Sequence, residues 1–129
     1  MIVYIAGPYS SAPEQNTRRA IEVGHEVMDA GLTPYVPHLS HFMELVKSRP
    51  YEDWMKIDFE FILCADVLVR LIGASSGSDR ETEFALRHAV PIITEHPDHW
   101  EIAGLQHKTL LSALNYASTL SLHDKLRSR

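Results

Sequence analysis

Short apolar runs alternate along the chain with longer amphipathic stretches. The runs predict strands near residues 2–6, 33–36, 67–72 and 91–94, and the amphipathic stretches predict helices near 14–30, 39–47, 51–64, 80–89 and 107–120. Apolar runs of this length are typical of a sheet that is covered on both faces. The pattern predicts an α/β fold: a single flavodoxin-like or Rossmann-like domain over residues 1–129, with a parallel sheet of four or five strands in the order 2-1-3-4 and helices on both faces.

The pattern weakens after Glu95. Residues 96–100 read His-Pro-Asp-His-Trp and predict a loop. The last predicted helix then carries an apolar side, which can cover either the core or a second subunit. That side consists of Leu110, Leu111, Leu114, Ala117 and Leu120.

The segment from Asp66 to Ala89 joins the third predicted strand to a loop of small residues and then to a helix. Glu81 falls at the beginning of that helix, which places a carboxylate at the edge where open α/β sheets bind ligands. Ser78 and Glu81 also fit a capping box, in which each side chain satisfies the other residue's backbone amide. Glu81 is therefore either a cap or a group of the site.

The helical wheel places Glu81 at the margin of the apolar side that Ala85, Leu86 and Ala89 define. From there the carboxylate can point into a cleft, and the helix N-terminus favours its ionised form. Glu83 falls on the polar side, four residues before Arg87, and is expected to be a solvated ion-pair partner.

Asp58 lies in the middle of the apolar side of the helix predicted over 51–64. That side consists of Trp54, Ile57, Phe61, Ile62 and Ala65. A carboxylate on a packed face is costly unless it is hydrogen-bonded, paired or lining a cavity. Asp58 therefore either ties down a neighbouring loop or helix end, or shares a cleft with Glu81.

The turn Gly7-Pro8-Tyr9-Ser10-Ser11 follows the first predicted strand and opens at the same edge of the sheet. Gly7 permits close approach of the backbone to a ligand, and the serines offer hydroxyls and amides near a helix N-terminus. The signatures of a P-loop and of a dinucleotide fingerprint are both missing. His38 follows Pro37 at the end of the second predicted strand, where it can line the same pocket.

These elements resemble the nucleoside 2-deoxyribosyltransferase-like superfamily, which includes deoxynucleoside 5'-monophosphate N-glycosidases. The resemblance rests on the opening YIAGPYS, on Asp58 seven residues before Ala65-Asp66, and on Gly77-x-x-x-Glu81-x-x-x-Ala85, in that order. Two departures stand out: Glu83 replaces a glycine that many relatives have, and the first loop lacks the arginine or asparagine of some nucleotide-specific relatives.

The resemblance implies cleavage or transfer at the N-glycosidic bond of a nucleoside or nucleoside 5'-monophosphate. Glu81 would be the nucleophile at the anomeric carbon, Asp58 its partner near the base, and the Tyr9-Ser10 loop part of the sugar or phosphate pocket. The resemblance also implies a homodimer or homotetramer with a shared pocket. The alternatives are a non-catalytic nucleotide-binding or partner-binding module on the same fold, and a lyase or phosphoribohydrolase with a longer glycine-rich loop.

The expected site is therefore as follows, with neither a metal nor a cofactor required. The catalytic residues are Glu81, Asp58 and Tyr9, and the substrate-binding residues are Gly7, Pro8, Ser10, His38, Ser76, Gly77 and Ser78.

Composition and charge limit the classes of partner that the protein is expected to bind. The 129 residues, 45% of them hydrophobic, suffice for one core. The net charge of −5 argues against a nucleic-acid polymer as the main partner, because neutralising phosphates requires clustered Lys and Arg. Arg18 and Arg19 are expected to be solvated, with a phosphate contact as the alternative. A lone cysteine, Cys64, is expected as a core thiol and suits a reducing cytoplasm.

Two further classes of protein are disfavoured. The sequence shows neither a signal peptide nor an apolar run long enough for a membrane span, so no membrane is expected as a partner. Eight histidines raise a metal hypothesis, with His38 and His41 beside Asp53 and Asp58 as its best candidates. Their spacing is unspecific, and loop or surface positions are the favoured interpretation.

Overall fold

A computed structural model describes the backbone of residues 1–127 and the side chains of residues 1–120. Its strands are β1 (Ile2–Ala6), β2 (Thr33–Tyr35), β3 (Val67–Arg70), β4 (Ile92–Glu95), β5 (Trp100–Ile102) and β6 (Leu105–His107). Its α-helices are α1 (Pro13–Asp29), α2 (His41–Val46), α3 (Tyr51–Cys64), α4 (Ser76–Arg87) and α5 (Leu110–Arg127), and a 3₁₀ turn over Pro37–Ser40 precedes α2.

The strands form one mixed sheet in the order β2-β1-β3-β4-β5-β6 over the described residues. The first four strands are parallel, with β1 between β2 and β3, and this confirms the predicted order 2-1-3-4. The prediction of a purely parallel sheet is wrong, because β5 and β6 add an antiparallel hairpin to β4.

The hairpin turns at Ala103 and Gly104, whose φ angles are 53° and 79°. A type I′ turn requires positive φ at two consecutive residues, and Asn-Gly is the sequence that normally predicts it. Ala-Gly carries no such signal. The sequence therefore did not predict the hairpin. The loop predicted over 96–100 is wrong at its last residue, because Trp100 is the first residue of β5.

Helix α5 starts at Leu110, three residues later than predicted, because His107 still belongs to β6. Thr109 caps the helix: its hydroxyl accepts a hydrogen bond from the Ser112 amide at 3.1 Å. The buried side of α5 packs in the chain's own core, so this side is not free for a second subunit. Its buried residues are Leu110, Ala113, Leu114 and Ala117.

Helices cover both faces of the sheet, as predicted, because successive strand residues point to opposite sides. On one face, Val3 and Ile5 of β1 pack with α1 and α5. On the other, Tyr4 and Ala6 pack with Ile62 of α3 and with α4.

The predicted buried side of α3 is partly wrong. Met55 and Ile62 are buried, whereas Ile57 and Phe61 are 38% and 44% exposed. The helix is turned so that Met55, Phe59 and Ile62, at helical spacing, face the interior. For the same reason Cys64 is exposed, and the expectation of a core thiol is wrong.

Helix α4 buries fewer apolar side chains than its helical wheel predicted. Ala85 is buried, but Leu86 is 63% exposed. The helix ends at Arg87, and Ala89 lies beyond it with a φ of 59°, so it is not part of a helical face. The turn instead brings Val90 into the core.

None of the described helices combines the length and apolar character needed to cross a bilayer.

Leu114→Ala tests the packing of α5 against the sheet. Leu114 is 1% exposed, so its truncation should lower the free energy of unfolding by about 2–5 kcal/mol. Leu111→Ala is the matched control on the same helix: Leu111 is 53% exposed, and a change within about 0.5 kcal/mol is expected. Urea unfolding of both variants measures the difference. Equal losses would contradict the assigned buried side.

Candidate active site

A cavity of about 500 Å³ opens at the carboxyl ends of β1 and β3. The loop after β1, the 3₁₀ turn with α2, the N-terminal half of α3 and the beginning of α4 form its walls. Parallel strands bring the first and last of these walls to the same edge of the sheet. The cavity therefore lies where the sequence places the candidate chemistry.

Nine of the ten expected site residues line this cavity: Gly7, Tyr9, Ser10, His38, Asp58, Ser76, Gly77, Ser78 and Glu81. Pro8 does not. Its carbonyl accepts a hydrogen bond from His38 Nε2 at 3.0 Å, and its ring lies against Gly73, where an added Cβ would come within 2.7 Å of Pro8 Cγ. Pro8 therefore supports the wall from behind, and its expected role in substrate binding stays a prediction.

Glu81 lies on the second turn of α4 and is only 6% exposed. The hydroxyl of Tyr4, a fully buried residue of β1, donates a hydrogen bond to Glu81 Oε2. The capping-box alternative is wrong, because the N-cap is Ser75, whose hydroxyl accepts from the Ser78 amide at 3.1 Å. With the helix starting at Ser76, Glu81 lies too far along it to cap and points to the sheet instead.

Asp58 lines the cavity from α3, the helix that packs beside α4. No described residue donates a hydrogen bond to its carboxylate, which argues against a purely structural tie. Burial raises the pKa of Asp58 to about 7. A carboxyl that is removed from water and left without a donor keeps its proton to a higher pH.

Burial likewise raises the pKa of Glu81 to about 8, and the negative charge of Asp58 adds to the rise. The hydrogen bond from Tyr4 and the charge of Arg70 act in the opposite direction. Burial therefore outweighs the expected preference of a helix N-terminus for the ionised form of Glu81. The pKa values of both carboxyls thus lie well above their ordinary range, so the protonated form of each persists to a higher pH than in water.

His38 is neutral and nearly enclosed. Its Nε2 donates to the Pro8 carbonyl, so Nδ1 carries the lone pair. Nδ1 is buried without a partner among the described residues, and burial lowers the pKa of the ring. The hydroxyl of Ser78 is also buried without a described partner. Both groups belong to residues of the cavity wall.

Tyr9 and His41 form a second polar contact at the cavity wall, through a hydrogen bond between the Tyr9 hydroxyl and His41 Nδ1. The described residues contain no group of three or more His, Cys, Asp or Glu side chains placed to hold a metal ion. His38 and His41 thus have other contacts: a backbone carbonyl for the first and a phenol for the second.

The outer wall contains residues that the sequence analysis did not single out. Glu44 of α2 accepts hydrogen bonds from the Ser48 hydroxyl at 2.7 Å, the Arg49 amide at 3.2 Å and Trp54 Nε1 at 2.6 Å. These bonds fold the connection between α2 and α3 along the cavity. No local sequence motif predicts these contacts of Glu44, because a glutamate on a short amphipathic helix normally indicates a solvated face.

Arg49 is the one cation among the described residues that line the cavity. Arg49 thus supplies the cavity with a positive charge, which the loop after β1 does not contain. Arg18 and Arg19 do not line it: Arg18 pairs with Glu22 on the surface of α1, and Arg19 pairs with Glu95. Their expected surface role fits these contacts.

Glu83 is exposed and lies outside this cavity. It lines a second groove behind the β3–α4 loop, together with Arg70, Asp79 and Glu95. The replacement of a glycine by Glu83 therefore does not crowd the pocket within this chain.

The fold and the cavity define an α/β protein with two acids at the carboxyl edge of its sheet. Residues 1–95, more than half of the chain, match the family described as "Domain of unknown function (DUF7768)", and the chain belongs to that family. No curated protein matches the chain.

A solved structure of a 2-deoxyribosyltransferase from the psychrotolerant bacterium Bacillus psychrosaccharolyticus is similar to this chain. The TM-score is 0.57 and the sequence identity 22%, over 73% of this chain and 71% of that chain. At this identity the likeness establishes a shared fold.

The raised pKa of Glu81 makes stability depend on pH. Between its ordinary value of 4.5 and the folded value of about 8, the unfolded chain releases a proton that the folded chain keeps. The contribution of this carboxyl to the free energy of unfolding should therefore be largest below pH 4.5. It should fall as the pH rises towards 8.

Glu81→Gln should make that decline shallower, because the amide does not ionise. Glu83→Gln, which alters an exposed residue two positions away, should keep the wild-type slope. Urea unfolding at several pH values between 5 and 9 measures the three slopes. Equal slopes for wild type and Glu81→Gln would contradict the raised pKa.

Proposed function

We propose that this protein cleaves or transfers the N-glycosidic bond of a nucleoside or nucleoside 5'-monophosphate, with Glu81 as the nucleophile. The observation that carries the proposal is the placement of Glu81 and Asp58 in one cavity with raised pKa values. A reaction in which one carboxylate attacks while another carboxyl protonates the leaving group needs a pair that retains one proton. The fold shared with a 2-deoxyribosyltransferase supports the same choice.

In the first step, a Glu81 carboxylate oxygen bonds to the anomeric carbon of the sugar. The bond from that carbon to the base nitrogen breaks, and the base leaves with its electron pair and takes the proton of Asp58. The transition state has oxocarbenium character, and the product is a glycosyl ester on Glu81.

In the second step, water or a second base attacks the anomeric carbon and releases Glu81. Asp58, now ionised, accepts the proton that the attacking group loses, which restores the starting state. Tyr4 holds the Glu81 carboxylate in one orientation through its hydroxyl, so the free oxygen of Glu81 is the one available for attack.

The rest of the cavity suits a sugar and a base. Among the lining residues, Tyr9, Ser10 and the segment Ser76–Ser78 offer hydroxyls and amides, and Trp54 supplies an aromatic surface. Polar contacts of this kind orient a ligand while aromatic side chains contribute buried area. No metal or organic cofactor enters the proposed reaction.

The alternative is a non-catalytic nucleotide-binding or partner-binding module on the same fold. The protonation of Glu81 near neutral pH favours it, because a neutral carboxyl is a poor nucleophile. The two functions differ in one observable: a binding module retains the ligand intact, whereas the proposed enzyme releases free base.

A panel of nucleosides and 5'-monophosphates, each scored for released free base by chromatography, tests the function directly. Release from any of them by wild type, and none by Glu81→Gln, is the expected result. Saturable binding without release across the panel would favour the binding module.

Glu81→Gln should lower base release by at least about 10³-fold while the protein stays folded, because an amide does not form the glycosyl ester. Asp58→Asn should slow release by about 10²–10⁴-fold, the usual contribution of general acid catalysis. Glu83→Gln is the matched control and should retain wild-type release. Near wild-type release by Glu81→Gln from a confirmed substrate would show that Glu81 is not the nucleophile.

The expected homodimer or homotetramer stays a prediction. Light scattering at micromolar concentration measures the state, and a strict monomer would mean that the cavity functions without residues from a second chain.

A further inference from the structure

Arg70 is the last residue of β3, and its side chain is only 13% exposed. One end of the guanidinium donates to the carbonyl of Leu71, and Nη2 donates to the carbonyl of Gly73 at 2.9 Å and to Asp79 Oδ1 at 3.1 Å. Two of the acceptors belong to the loop between β3 and α4, and the third lies on the first turn of α4. Arg70 therefore binds the loop at two points and the first turn of α4 at a third.

This arrangement depends on the shape of the guanidinium. Its planar fork presents several N–H donors in fixed directions, so one side chain can serve two carbonyls and a carboxylate at once. A lysine carries the same charge on a single nitrogen and cannot span those acceptors together. Loop carbonyls near the interior also need donors, because a buried carbonyl without one is costly.

The loop that Arg70 holds is shaped by a close approach. Gly73 has a φ of +124° and lies against the ring of Pro8, which leaves no room for a side chain. From Gly73 the chain runs directly into Ser75, the N-cap of α4, and then into the segment Ser76–Ser78 and Glu81 at the cavity. A change in the shape of this loop therefore moves the beginning of α4.

Arg70 does not touch the cavity. It lines the second groove on the other side of the loop, so a ligand bound beside Glu81 would not contact it. Its effect on the site is therefore indirect, through the backbone of the loop and through its charge.

We propose that Arg70 is a positioning residue, which holds the β3–α4 loop so that Ser76–Ser78 and Glu81 keep their places in the candidate active site. The catalytic part of this inference rests on the proposed function. The structural part, the fixing of the loop, does not.

Two substitutions separate shape from charge. Arg70→Gln removes both the fork and the charge, whereas Arg70→Lys keeps the charge and loses the fork. Both should lower kcat for base release by about 10–100-fold, because small displacements of reacting groups cost that much. The midpoint that Glu81 contributes to the pH–rate profile should rise in Arg70→Gln and stay at the wild-type value in Arg70→Lys, since the cation favours ionised Glu81.

Arg18→Gln is the matched control. It removes the same charge from an exposed ion pair with Glu22 on α1, outside both grooves, and should leave kcat and the pH profile unchanged. Lower thermal midpoints in the Arg70 variants with wild-type kcat per folded molecule would indicate a structural role only. Full kcat in Arg70→Lys would overturn the argument from the fork.

Amide hydrogen exchange tests the loop without any substrate. Exchange over residues 72–78 should be faster in both Arg70 variants than in wild type and Arg18→Gln, while strand β1 stays protected. Unchanged exchange in Arg70→Lys, which retains the charge and is the milder substitution, would overturn the proposal. If wild type releases no base from any substrate, the proposed function fails while the exchange measurement still decides whether Arg70 fixes the loop.

Discussion

The burial of the Glu81 carboxyl against the sheet is the constraint on which the rest of the site depends. A carboxyl removed from water is costly unless a partner compensates, and here the partner is the hydroxyl of Tyr4, itself enclosed in the core. The bond joins the middle of β1 to α4 across 77 positions of sequence. It aims Glu81 at the sheet, and the charge of Asp58 in the same cavity makes ionisation of Glu81 harder.

The fold places the loops that this pair requires. Parallel β1 and β3 end at one edge, where Pro8 and Gly73 bring their loops into contact. His38 reaches the first loop through the Pro8 carbonyl, and Arg70 holds the second. The Pro8 carbonyl and Arg70 thus support the cavity wall from behind, while His38 belongs to the wall itself. Helix α5 and the β5–β6 hairpin complete the core away from this edge.

The sequence determined the parallel strands and the location of the site, because an apolar run ending in small residues has few structural interpretations. It did not reveal the hairpin, since Ala103-Gly104 lacks the usual signature of its turn. Nor did it separate Ser75 from Ser78 as the N-cap, since a serine suits either position. The wheel of α3 offered two neighbouring apolar stripes, and only packing against the sheet selects the one with Met55 and Ile62. The partnership of Tyr4 with Glu81 is a long-range contact that periodicity does not encode.

The raised pKa values of Glu81 and Asp58 connect the electrostatics of the cavity to the proposed chemistry. Burial raises the pKa of both carboxyls, and the charge of Asp58 raises that of Glu81 further. The proposed attack requires ionised Glu81 with the proton on Asp58. A ligand whose base presents a hydrogen-bond acceptor to Asp58 stabilises the protonated form of that residue, and the hydroxyl of Tyr4 stabilises the ionised form of Glu81. In the proposed reaction, binding of such a base would therefore favour ionised Glu81 beside protonated Asp58.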